Sequence, residues 1–234
     1  EILEKPELSM ESINLSAREK FRKICYVCKD CNGVNCASGV PGMGGTGTGA
    51  SFRRNSEALQ RFKIATRLIH DVTDPDTSTT FLGHTLSMPV MAAPITGMVT
   101  NMGGAMDELQ YNRGVTGGCS DTGTIAWVGD GATPEKYRIG LQAVEECGGM
   151  GIPIFKPRSD DSEILKRIQA AEQSGAVAVG MDIDALVFKT MAMKNQSVGP
   201  KSLSALRDLI SSTKIPFILK GIMTPRDAEL AVEE

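Results

Sequence analysis

At 234 residues, 41% hydrophobic and 23% charged, the chain is long enough for one sizeable core and has the composition of an ordinary water-soluble globular protein. A formal net charge of -3 leaves no basic footprint for nucleic acid or an anionic membrane surface, and no apolar run approaches the roughly 20 residues that a membrane helix needs. The acidic, proline-containing start is not a secretory signal, and six cysteines suit a reducing compartment, so the expected location is cytoplasmic, with no nucleic-acid or membrane partner.

Residues 11–23 carry Ile13, Ala17 and Phe21 at helical spacing, followed by Ile24, and predict a short amphipathic helix. Cys25, Cys28, Cys31 and Cys36 follow in a Cys-x2-Cys-x2-Cys-x4-Cys run. Four thiols this close can close a tetrahedral zinc site or ligate an iron–sulfur cluster, although the spacing matches neither standard pattern; the other reading is a set of reduced, partly buried thiols. Residues 42–52, G-M-G-G-T-G-T-G-A-S-F, read as a linker or lid rather than a phosphate loop. The expected division is an arm over 1–51, containing the helix, the cysteines and this loop, and a second domain over 52–234.

From Phe52 the pattern becomes regular. A helix is predicted at 56–62 and a hairpin at 79–83 with 85–88. Strands follow at 89–93, 123–128, 151–155, 176–181 and 215–219, separated by helices at 105–116, after Thr133-Pro134-Glu135, at 162–173 and at 202–211, with a last helix after Thr224. Apolar strands alternating with helices imply parallel strands and right-handed crossovers. Polar residues recur at every strand end rather than at one switch point, which favours an α/β (β/α)8 barrel. Only about the first five strand–helix units are present, so the sequence reads as a fragment of the barrel.

Barrel sites form at the carboxyl ends of strands, which places Thr96, Asp130, Lys156, Asp182, Asp184 and Lys220 together in expectation. Lys220 ends a buried apolar strand, where an ammonium is costly unless something anionic or electron-rich receives it; otherwise it snorkels to solvent. Two lysines with carboxylates suit a small anionic substrate or an electron-rich ring, and equally suit an internal ring of ion pairs. His70 and His84 precede the first barrel strand and read as surface or structural histidines rather than catalysts, while Trp127, Cys119 and Cys147 read as core.

Asp71-Val72, the run Asp76-Thr77-Ser78-Thr79-Thr80-Phe81-Leu82-Gly83, then Ser87-Met88-Pro89-Val90, Ala93-Pro94 and the I-P-F-I-L-K-G-I-M-T run at 215–224 resemble the FMN-dependent 2-hydroxy-acid oxidase and dehydrogenase family, which includes glycolate and lactate oxidases. The cysteine arm is similar to one in a bacterial branch of that family. The resemblance implies FMN at the carboxyl ends of the barrel strands. Lys220 then lies against the flavin N1/O2 edge and Pro94, Ile95 and Thr96 against the ring, with Gly129, Asp130, Lys156 and Asp182 as further cofactor-binding positions. The chain departs from the family: Gly129 or Asp130 replaces a serine, Ile154 and Lys156 replace a glutamine and a tyrosine, and Asp182 stands near a threonine. The family's catalytic histidine, substrate arginines and phosphate loops belong to strands six to eight, so the catalytic base is expected beyond Glu234 and these residues alone are expected to be inactive. A homo-oligomer is implied by the family's ring-like assemblies.

The resemblance implies oxidation of a small 2-hydroxy acid to a 2-keto acid. Two alternatives stand beside it. A flavin-dependent type 2 isopentenyl-diphosphate isomerase would use Arg53, Arg54, Lys156 and Arg158 on its diphosphate. A metal-binding redox or scaffold protein would be built on the cysteine arm.

Overall fold

A computed structural model of the chain describes residues 8–36, 45, 47–187 and 189–232. These residues fall into two compact units, one from the described part of 1–73 with Met98–Asp107, the other from Asp74–Gly97 with the described part of 108–234.

The first unit holds helices α1 (Met10–Phe21), α2 (Ala50–Gln60) and α3 (Met98–Asn101). Ser9 and Ser12 cap the start of α1 reciprocally, the serine version of a capping box. Arg18 donates to the carbonyls of Tyr26 and Val27, tying the cysteine segment to α1. Helix α2 starts six residues before the predicted 56–62. Residues 42–44 and 46 of the glycine-rich run before it lie outside the described residues.

The second unit opens with a hairpin of β1 (Thr79–Phe81) and β2 (His84–Leu86), whose two turn residues, Leu82 and Gly83, both have positive φ, the geometry a tight hairpin demands. Helix α4 runs Glu108–Asp121, later than the predicted 105–116, because Gly103 and Gly104 just ahead of it hold left-handed conformations. Then come β3 (Ala126–Val128), α5 (Pro134–Glu146), β4 (Gly151–Phe155), α6 (Asp161–Gln173), β5 (Val179–Asp182), a 3-10 turn (Ala185–Val187), α7 (Lys189–Met193), α8 (Leu203–Ser211), β6 (Phe217–Lys220) and α9 (Pro225–Val232). The helix starts are written in the sequence: the Asp160 carboxylate accepts from the Ser162 amide at α6, Ser202 from Ala205 at α8, and Thr224 from Asp227 at α9.

The four strands form one parallel sheet in the order β3-β4-β5-β6. The predicted first barrel strand at 89–93 contributes a single parallel bridge, Ala92 with Ala126, and the Trp127 amide donates to the Ala92 carbonyl at 2.9 Å. Pro89 and Pro94 bracket it and lack the donors a longer ladder needs. All residues of β4 and β5 are buried, as expected for strands covered on both faces.

Alternation along the strands separates two cores. On the helical side, Phe155, Val179 and Met181 pack with Tyr137, Leu141, Ile164, Ile168, Leu206 and Leu209. On the other side, Ile152, Ile154 and Ala178 pack with Leu86, Ile125, Trp127 and Ile218. Trp127 only borders that core, and Cys119 and Cys147, read as core from sequence, are half-buried. Among the described residues no helix is long and apolar enough to cross a membrane.

Phe155 is wholly buried and edge-on to both Tyr137 and Phe217, so Phe155→Ala is expected to cost about 3–5 kcal/mol in urea denaturation. A Cβ on Gly180 would lie 2.7 Å from both the Ile154 Cδ1 atom and the Ile218 carbonyl, so Gly180→Ala should cost about 1–3 kcal/mol by overpacking.

Candidate functional site

The pairing register decides which strand-end residues meet. Phe155 is level with Met181, and Asp182 with Lys220. Lys156, one residue beyond Phe155, therefore stands level with Asp182 and Lys220. All three follow the inner-core positions Ile154, Gly180 and Ile218 by two residues, which puts them on the same face. The charges close the end of that apolar layer.

The Asp182 carboxylate takes one ammonium on each oxygen: Lys156 Nζ at 2.5 Å from Oδ2 and Lys220 Nζ at 2.6 Å from Oδ1. The side chains of Lys156 and Asp182 are 13% and 10% exposed, that of Lys220 36%. Burial opposes ionisation of Asp182. The charge and hydrogen bond of Lys156, then those of Lys220, outweigh it and hold the carboxyl below its usual value. Lys220 belongs to β6 itself rather than following the strand, and its carbonyl accepts from the Ile183 amide. Next to it Gly221 has φ +95, and a Cβ there would come 2.5 Å from Asp184 Cγ, so the loop passes this point only as glycine.

Asp130 is placed elsewhere. Val128 is level with Pro153, so Gly129 aligns with Ile154 on the inner face and Asp130 with Phe155 on the helical face. Its carboxylate is fully enclosed. Oδ1 accepts from the Gly131 amide, while Oδ2 accepts from the Lys156 amide at 3.2 Å and Arg158 Nη2 at 3.0 Å, with Arg167 Nε at 3.4 Å. Arg158 also donates to the Gly131 carbonyl and to Gln196 Oε1. Burial draws the Arg158 guanidinium below its ordinary value against the opposing charge of Asp130. Asp130 thus anchors the loop that carries Lys156, and Arg158 reaches inward to it rather than outward to a diphosphate.

The segment ending the bridged first strand lies against β3. Thr96 Oγ1 donates to the Asp130 carbonyl at 3.4 Å, and a Cβ on Gly129 would meet Thr96 Cγ2 at 2.8 Å. Pro94 and Thr96 are half-buried, and Ile95 is exposed. The Gly97 amide donates to both oxygens of buried Glu108, at 2.8 and 3.0 Å. Glu108 and Arg167 were not singled out from the sequence. An acid in the first turn of a helix marks Glu108; nothing local marks Arg167.

The cysteine arm does not gather into a metal centre. Cys31 is exposed, while the Cys25 sulfur accepts from the Val27 amide and the Cys28 sulfur from the Asn35 side chain. Among the described residues no group of three or more His, Cys, Asp or Glu side chains is placed to hold a metal, so the zinc or iron–sulfur expectation at Cys25, Cys28, Cys31 and Cys36 finds no support. Burial, with the other three cysteines and Asp30, pushes the Cys31 thiol up. His84 lies on β2, and His70 lies in an exposed segment ahead of that strand in the sequence.

A family model described as FMN-dependent dehydrogenase matches residues 42–206. Among curated relatives, a 2-hydroxyacid oxidase of Dictyostelium discoideum is 24% identical over 215 residues, 78% of this chain and 53% of that protein. Glycolate oxidase of Spinacia oleracea is 26% identical over 227 residues, 78% and 57% of the two chains. The chain spans a little over half the length of these relatives. Among solved structures, a lactate oxidase of Pediococcus acidilactici aligns with TM-score 0.67 at 18% identity, over 97% of this chain and 63% of that one. A mandelate oxidase solved with (S)-4-hydroxymandelic acid aligns with TM-score 0.65 at 18% identity, over 96% and 67%. The sheet is accordingly part of an α/β barrel, and neither the diphosphate isomerase nor the metal scaffold is favoured.

Asp130→Ala leaves Arg158 and Arg167 buried without their shared carboxylate and should cost about 3–5 kcal/mol in chemical denaturation. Because the folded Asp182 carboxyl lies below its usual value, its contribution to stability is full above about pH 4, the unfolded value, and is lost as pH falls through the lower, folded one. The stability difference between the wild type and Asp182→Asn should therefore shrink as urea denaturation is repeated at pH values falling below about 4; a difference that grew on acidification would contradict the pairing.

Proposed function

Since the chain belongs to the FMN-dependent dehydrogenase family, we propose that it forms the flavin-binding portion of an oxidoreductase that converts a small 2-hydroxy acid to a 2-keto acid. The observation that carries this is the Lys220 ammonium at the carboxyl end of β6, partly open to solvent and fixed by Asp182 at 2.6 Å.

The donor set suits FMN. An ammonium is the right partner for the electron-rich N1/O2 edge of the ring, and Gly129, with no side chain, lets Pro94 and Thr96 pack directly against it. Bound FMN supplies the two-electron acceptor. Lys220 supplies a fixed positive charge, useful only if it is in place before charge develops. Asp182 and the backbone pairing of β5 with β6 hold it there. Lys156 presents a second cation in the same layer, suited to an anionic substrate. Gly221 lets the chain turn away without covering the strand end.

By analogy with the family, we place the proton-accepting base outside these 234 residues and take the whole protein to be a homo-oligomer. The test is FMN titration followed by flavin absorbance and fluorescence. Wild type should bind FMN, and Lys220→Met should bind at least about tenfold more weakly. Absence of a flavin spectrum from the whole protein that contains these residues, even after FMN is added, would overturn the reading. With FMN bound, these 234 residues should show no steady-state oxidation of lactate or glycolate, and a measurable rate would place the base among them.

A further inference from the structure

Within the inner charged layer, one carboxylate serves two cations. Lys156 and Lys220 each hold a different oxygen of Asp182 at 2.5 and 2.6 Å. The two are not equivalent. Lys156 is mostly enclosed, and its amide is bound to Asp130, so the ammonium rises from an anchored backbone. Lys220 is the more open and has donors to turn towards a ligand. A carboxylate shared in a place of low dielectric polarises towards whichever partner it binds more strongly, so the two pairs are coupled.

We propose that Asp182 is a positioning residue that divides its charge between Lys156 and Lys220, so that Lys156, without touching the flavin, sets how much of the Lys220 charge acts on it. This rests on the FMN reading above. The three groups sum to +1. Without the Lys156 charge, Asp182 offsets Lys220 alone and the layer sums to zero. Without the Asp182 charge, both ammonium groups lose the carboxylate between them and the layer sums to +2. If the flavin's N1/O2 edge were held at Lys220 as proposed, its reduced form would carry negative charge there, and positive charge would favour the reduced state. The two substitutions must therefore act in opposite directions. A purely structural role for the triad would move them the same way, since each breaks one or both ion pairs.

The measurement is the reduction potential of FMN bound to wild type, Lys156→Met, Lys156→Arg and Asp182→Asn, obtained by equilibration with a reference dye. Lys156→Met should shift the equilibrium between oxidised and reduced flavin about tenfold towards oxidised, and Asp182→Asn about tenfold towards reduced. Lys156→Arg, which keeps the charge, should stay close to wild type. Shifts of the same sign, or no shift in variants that still hold FMN, would overturn the proposal while leaving the FMN reading intact. Failure of the whole wild-type protein to take up FMN would overturn both. If Asp182→Asn does not fold, the contrast between Lys156→Met and Lys156→Arg decides alone: a shift towards oxidised in the first only sustains the proposal, and any other pattern overturns it.

Discussion

A single carboxylate at the end of the central strand β5 fixes the chemistry of the inner face. Carrying Asp182 into a site only 10% exposed has a desolvation cost that no one lysine on a flexible stem would offset well. Two lysines, delivered by the strands on either side, do so. Their delivery follows from backbone pairing: in-register parallel strands put Lys156, Asp182 and Lys220 at one level, and the pleat turns all three the same way. The layer beneath, Ile154, Gly180 and Ile218, is apolar and has a glycine at its centre. That absence of a side chain lets the flanking isoleucines close over the middle strand directly under the charges.

Much of this was legible in the sequence because parallel strands buried on both faces are written as short apolar runs, and because charge at the end of such a run is conspicuous. Lys156, Asp182 and Lys220 were all visible in that way. Asp130 shows where such reading stops. It ends an apolar run like the others, yet β3 is in a register that sends it to the helical face, where it meets Arg158 and Arg167 instead of the mouth. One residue of register inverts the direction of a side chain, and register is set by long-range pairing that no local pattern contains. Arg167, in the middle of an amphipathic helix, has no local signature for the same reason.

The first barrel strand failed as a regular strand for a different and more local cause. Its β-branched and small residues suit a buried strand, but a proline at each end removes donors, and the ladder reduces to one bridge. The position is still secured, by the Ala92 carbonyl on one side and by Glu108 gripping the Gly97 amide on the other. Hydrogen bonds outside the ladder do the positioning that the ladder does elsewhere.

Two charged clusters thus sit back to back at the ends of β3, β4 and β5, joined through the loop at 156–158. The outer one, Asp130 with two arginines, is sealed and has every reason to be rigid: its carboxylate also holds the amide of Lys156. The inner one keeps a partly exposed lysine, Lys220. Rigidity is thereby separated from availability. The outer cluster fixes the backbone from which Lys156 rises, Lys156 shares Asp182, and Asp182 orients Lys220. A change in the sealed cluster can reach the open lysine only through this chain of contacts, each link a hydrogen bond of 2.5–3.2 Å between named groups. The chain thus carries three charged groups at the inner ends of β4, β5 and β6. It accommodates that charge by pairing it across strands, so that one excess positive charge remains in the inner layer.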